Sequence, residues 1–194
     1  MSQVSPDAVD VVSAWREAVL ENLTRGGPVC QRAAQYILEN DKVEIGFSRQ
    51  STGARWTLEG NIELNIAYYP FKTRTNPSNP QLLGAIVHEA VHLEQGAALA
   101  LSVEGEVGGW KAEHDARTEL NAPIKNIHWK AVALTPDSPT NQELCQARSE
   151  MLKMTGYRYL VWLLPLRPNF WTRLVERVQR IVVRVVMGRK GDCA

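Results

Sequence analysis

Pro80-Gln81-Leu82-Leu83-Gly84-Ala85-Ile86-Val87-His88-Glu89-Ala90-Val91-His92-Leu93-Glu94-Gln95-Gly96 is the stretch from which the rest of the chain is read. Proline suits the first turn of a helix, the run from Leu82 to Val87 is apolar enough to be buried, and Gly96 offers a stop. Residues four apart share one face of a helix, so the imidazoles of His88 and His92 come close enough to hold one zinc ion. Glu89 then lies beside the open coordination position, where it can take a proton from a metal-activated water. Only four histidines occur in the chain, and two of them hold this spacing.

Such a site needs a third protein ligand and one open position. The metzincin pattern would place glycine and histidine where Gln95 and Ala98 stand, which excludes that class. Glutamate is the next choice. Ser102 can cap a helix running to about Leu120, and that helix offers Glu104, Glu106 and Glu113, with His114 and Asp115 as outsiders. A helical hairpin turning near Leu99 to Ser102 brings the face of Glu106, Trp110 and Glu113 back over the histidines. Glu106 lies at their level and is the preferred ligand, with Glu113 and Glu104 as alternatives. Trp110, one turn on, walls the pocket.

Upstream, Ser5-Pro6-Asp7 starts a helix that Arg25-Gly26-Gly27-Pro28 breaks, and a second helix spans about Val29 to Glu39. The period then changes to two. Val43, Ile45 and Phe47 alternate with polar or small neighbours, and Arg55 to Leu58 and Ile62 to Tyr69 read as strands about a Gly60-Asn61 turn. A small antiparallel sheet ahead of the motif helix is expected, with an edge strand able to bind an extended peptide. Thr73 to Pro80 is a polar loop. Downstream, Thr135 to Asn141 is a loop and Asn141 opens a helix that stops near Gly156.

The 194 residues, 44% hydrophobic and 22% charged, suffice for one globular domain with a real core. The division expected is a zincin-like domain over residues 1–165 and a tail over 166–194. A net charge of +1 gives no electrostatic case for a nucleic-acid partner. Cys30, Cys145 and Cys193 are odd in number and widely spaced, which argues against both a disulfide framework and a cysteine metal site. No secretory signal and no run of 18 apolar residues is visible, so a cytoplasmic location is expected.

The tail is the second informative stretch. From Leu166 to Ala194, seven Lys/Arg stand against Glu176 and Asp192, giving +5, while the preceding residues carry 15 basic and 19 acidic groups, giving −4. Arg173, Arg177, Arg180 and Arg184 fall on one stripe of a helix expected over residues 169–187, and Trp171, Leu174, Val175, Val178, Ile181, Val182, Val185 and Val186 cover most of its remaining surface. The simpler expectation is that the apolar side packs on the domain and the arginines are solvated. The sharper one is peripheral contact with an anionic membrane.

The motif with its flank His88-Glu89-Ala90-Val91-His92-Leu93-Glu94-Gln95-Gly96, followed by Ala100-Leu101-Ser102-Val103-Glu104-Gly105-Glu106-Val107-Gly108-Gly109-Trp110, resembles the core of small gluzincin-type metallopeptidase families. The resemblance covers roughly Gly60 to Ala116. It implies His88, His92 and Glu106 as zinc ligands, Glu89 as general base, and a minimal α+β zincin-like fold. No Asn-Glu-x-x-Ser-Asp follows, so the acidic partner that supports a liganding histidine in thermolysin-like enzymes has no counterpart at that position. The expected activity is zinc-dependent hydrolysis of a peptide or protein substrate. The alternatives are a non-catalytic, zinc-stabilised interaction domain and a helical scaffold whose motif is accidental. Tyr68, Tyr69, Tyr157, His114 and His128 are candidates to steady an oxyanion, each with a plain structural alternative, and Asn65 is a candidate for substrate contact or for a solvated strand position.

Overall fold

A computed structural model describes residues 6–40, 42–155 and 160–179. Helices α1 (Pro6–Thr24) and α2 (Pro28–Glu39) lead into three short strands, β1 (Ile45–Ser48), β2 (Ala54–Trp56) and β3 (Ile62–Asn65). A single turn α3 (Phe71–Arg74) precedes the motif helix α4 (Pro80–Gln95). Then come α5 (Ala97–Ala100), α6 (Val103–Glu119), α7 (Ile127–Ala133), α8 (Asn141–Thr155), a 3-10 turn over Leu160–Leu163 and a helix α9 over residues 170–179. The class is α+β, as expected.

The ends of α4 follow from local chemistry. The Asn79 side chain accepts from the backbone N–H groups of Gln81 (3.0 Å) and Leu82 (3.2 Å), and Pro80 occupies the first turn. Gly96 ends the helix at φ +75°, a conformation that L side chains rarely adopt. Every residue from Leu82 to Ala90 is buried, because α2, α6 and β2 all pack against this helix. Ser102 caps α6 through Gly105 N–H at 3.1 Å, at the expected place.

The sheet is mixed, which corrects the antiparallel expectation. Its order is β1-β3-β2, with β1 parallel and β2 antiparallel to β3. Consecutive strands are usually neighbours, which is why a meander is the default expectation. Here β3 enters between the other two. Ile62 and Leu64 are fully buried and belong in the centre, whereas β1 exposes Phe47 and β2 exposes Arg55, as edge strands can. The β2–β3 connection is the loop Thr57 to Asn61, closed by Thr57 N–H on Asn61 O at 2.9 Å, with Gly60 at φ +93°. The third strand stops at Asn65, short of the expected Tyr69, because the chain turns there.

Two cores result. One fills the space between α1, α2, the sheet and α4, around Leu23, Ile37, Ile62, Leu82 and Ile86. The other joins α6, α7 and α8 around Val107, Trp110, Val132, Leu144 and Met151. The helix α7, in a stretch to which the sequence reading assigned no element, is opened by Asn126 accepting from His128 N–H (2.9 Å) and Trp129 N–H (3.2 Å). The chain around residue 165 is tied to α6 by Val103 N–H on Pro165 O and Glu104 N–H on Leu166 O. Among the described residues, no helix is long and apolar enough to cross a membrane.

Cys30 and Cys145 are free thiols. Cys30 is fully buried where α2 meets the end of α6, and burial together with nearby Glu119 pushes its thiol up to about 12. Cys145 is exposed. In a Cys193→Ser background, a thiol reagent at mildly alkaline pH should label Cys145 and spare Cys30 until denaturant is added. Rapid native-state labelling of Cys30 by mass spectrometry would mean that α2 and α6 separate readily.

Candidate metal centre

The site lies on the seam between α4 and α6. His88 and His92 stack one turn apart on α4, their Nε2 atoms 3.0 Å from each other. Glu106 reaches across from α6, with Oε2 3.8 Å from His88 Nε2 and Oε1 3.7 Å from His92 Nε2. In tetrahedral coordination with bonds of 2.0–2.1 Å, neighbouring donor atoms stand about 3.3 Å apart. The three groups therefore span the size of one small cation, and their donor atoms all lie within 4.8 Å of one another.

The approach of the helices depends on missing side chains. A methyl group on Gly109 would stand 2.7 Å from His88 Nε2, and one on Gly105 would stand 2.0 Å from the Leu99 carbonyl oxygen. A larger residue at Gly109 would push α6, and the Glu106 carboxylate with it, away from His88, whereas one at Gly105 would push α6 off α5.

Hydrogen bonding sets the histidine tautomers. His88 Nδ1 lies 3.2 Å from Glu113 Oε2, and His92 Nδ1 lies 3.2 Å from Gln95 Oε1. Both partners accept, so both Nδ1 atoms carry hydrogen and both Nε2 lone pairs turn toward the shared space. Two lone pairs 3.0 Å apart need a cation or a proton between them. Burial alone disfavours charge on either ring. Around His88 the carboxylates of Glu113, Glu89 and Glu106 outweigh burial and raise it to about 9. Burial and the neighbouring His88 push His92 down to about 3.

Glu89 is buried beside His88, away from solvent, and burial raises its carboxyl to about 7. A backbone hydrogen bond from Trp56 favours its ionised form. That N–H is free to do so because Gly53 and Thr57 make the ladder bonds to β3, leaving Trp56 facing outward on the edge strand. Burial likewise raises the Glu106 carboxyl, which Trp110 Nε1–H holds at 3.2 Å. Three carboxylates thus converge on two imidazoles with little water. The accumulated negative charge is costly unless a divalent cation offsets it, and the donor set fits one.

A cleft of about 310 Å³ opens onto His88 and Glu89, walled by Trp110, Trp129, Tyr68 and Tyr69. A wider cleft, about 750 Å³, is lined by residues of α2, α4 and α6 and reaches Gln95 but not His88, His92, Glu89 or Glu106, so the smaller one is the approach to the chemistry.

Several candidates fall elsewhere. Glu104 pairs with Arg167 at 2.7 Å, and His114 and Asp115 pair with each other. His128 lies 2.6 Å from Glu150. Asn65 is neither solvated nor aimed at the cleft: it is buried, donating to Gln50 O and Thr52 O and accepting from Ala67 N–H. Tyr157 lies outside the described residues. Glu113, weighed from sequence only as a third ligand, instead supports His88 from behind. Gln95 was legible as a partner only through its place three residues after His92, one helical turn on. No protein-family model, curated protein or solved structure matches this chain.

Zinc added to metal-stripped protein should raise its thermal midpoint. Glu106→Ala should lose most of the affinity, Glu113→Ala should bind about 10–100-fold more weakly, and Glu104→Ala should match wild type. Equal zinc binding by Glu106→Ala and wild type in a competition titration would remove Glu106 from the ligand set. Gly109→Ala removes no donor, yet it too should weaken binding. Unchanged affinity in that variant would show that α4 and α6 have room to separate.

Proposed function

We propose that this protein is a zinc-dependent hydrolase, a peptidase of gluzincin type, in which His88, His92 and Glu106 hold the metal and Glu89 is the general base. The observation that carries the reading is the placement of Glu89. It lies buried next to the three donor groups, is held by the Trp56 backbone, and is raised toward neutrality. Two nitrogens and one carboxylate oxygen suit zinc and leave one position open.

Held by His88, His92 and Glu106, zinc would supply a Lewis acid able to lower the pKa of a water molecule to about 7. Glu89 would take a proton from the attacking water and pass it to the leaving amine, the work of a general acid–base. Glu113 and Gln95 keep the two imidazoles turned with Nε2 inward. The edge position of β2 supports an extended peptide as substrate, bound along the sheet beside the cleft.

The second reading is a non-catalytic, zinc-stabilised domain. A structural site requires no carboxylate beside the open position, and burying one there is costly, so Glu89 favours the enzyme. After a peptide-library screen has supplied a substrate, Glu89→Gln should bind zinc like wild type and lose hydrolysis by at least about 100-fold. Cleavage by Glu89→Gln at the wild-type rate would sink the mechanism. Zinc-loaded wild type that cleaves nothing in the library would favour the non-catalytic domain.

A further inference from the structure

The helix α9 sits on the domain the opposite way round from an ordinary surface helix. Thr172 is buried, and Val175, Glu176 and Gln179 are half-buried, which puts a mostly polar face inward. Glu176 comes down over Gly96 at the end of α4, its Oε1 3.3 Å from where a methyl group on that glycine would stand. The start of the helix is pinned by a reciprocal cap, Asn169 N–H on Thr172 Oγ1 (2.9 Å) and Thr172 N–H on Asn169 Oδ1 (3.1 Å).

The outward face is therefore apolar. Phe170 and Trp171 are each 70% exposed, Val178 is 49% and Leu174 is 39%. At helical spacing these four residues form one stripe, and exposed Arg173 and Arg177 run along its border. Over residues 170–179 this differs from the simpler expectation from sequence, in which the apolar side packs on the domain; Ile181, Val182, Val185 and Val186 lie outside the described residues. The expected helix over 169–187 is described only over 170–179. In the sequence beyond, Arg180 and Arg184 continue the line of Arg173 and Arg177.

We propose that this face of α9 docks on the surface of an anionic lipid bilayer. An apolar stripe led by aromatic rings and edged by arginines matches the boundary between headgroups and acyl chains. Charge complementarity selects the partner and its orientation. Residues 166–194 carry +5 and the rest of the chain −4, so an anionic plane attracts the tail and repels the remainder. A second copy seated stripe to stripe would set like-charged arginines against each other. The contact is peripheral, and it is independent of whether the metal centre is catalytic.

The test uses the full chain and co-sedimentation with vesicles of phosphatidylcholine mixed with phosphatidylglycerol, against phosphatidylcholine alone. Binding should appear only with the anionic lipid and fall with added salt. Arg173→Gln/Arg177→Gln should weaken it about tenfold or more, and Phe170→Ser/Trp171→Ser should do likewise, with circular dichroism and zinc content unchanged. All four side chains are exposed, so loss of fold is not the expected cause of a change. Wild type that ignores anionic vesicles at low salt would overturn the proposal, as would binding that survives both double substitutions. A concentration-dependent dimer abolished by Phe170→Ser/Trp171→Ser, without vesicle binding, would assign the stripe to a second copy instead.

Discussion

The close approach of α4 and α6 is the constraint on which the rest of the molecule depends. The two helices meet where Gly108 and Gly109 carry no side chain, and a single methyl group there would strike the Gln95 side chain or the His88 ring. Glycine inside a helix costs about 1 kcal/mol relative to alanine. That cost is offset by what the approach permits: a buried apolar core on each side of the seam and a carboxylate brought across it to two imidazoles. The two cores share little except this seam, so the geometry of the site and the joining of the two halves of the domain are one problem.

Electrostatics makes the same seam demanding. Glu89, Glu106 and Glu113 surround His88 with almost no solvent, and burial raises Glu89 to about 7 and pushes Glu106 up as well. A fold built only for packing would place leucines here, since uncompensated buried charge is among the most destabilising features a protein can carry. A divalent cation is the simplest compensation. The supports are arranged accordingly, with an acceptor on each Nδ1, an indole N–H on Glu106 and a backbone N–H on Glu89. Each fixes a group that would otherwise turn away when no metal is bound.

The C-terminal helix shows how far amphipathic patterning reaches. An apolar stripe with an arginine border is plain in the order of residues 170–178, but the stripe does not say which way it faces. The orientation comes from Thr172, whose side chain is tied to Asn169, and from Glu176 seated over Gly96. The buried Thr172 and Glu176 over Gly96 put the polar side inward, and the apolar side is left outside.

Local chemistry was legible from the sequence at the motif helix and the start of α6, though the Asn126 cap that opens α7 went unread. The limits of α4 were read from Pro80 and Gly96, the start of α6 from Ser102, and the shared face of His88 and His92 from the helical repeat, while the Asn79 cap emerged with the structure. The convergence of Glu106 on those histidines was an inference from a helical hairpin, and the geometry brings the three together. Other features needed the folded chain. The insertion of β3 between β1 and β2 reflects the burial of Ile62 and Leu64 against distant helices, and no spacing encodes it. Asn65 looked available on a strand and is spent on the backbone of a neighbouring loop. Glu113 was one of three candidate glutamates on one helix, and only the depth at which α6 crosses α4 separates the carboxylate that faces the shared space from the one that holds His88 from behind. Periodicity and caps are properties of a segment, which sequence alone determines. Depth of packing is a property of two segments at once, and tertiary structure alone decides it.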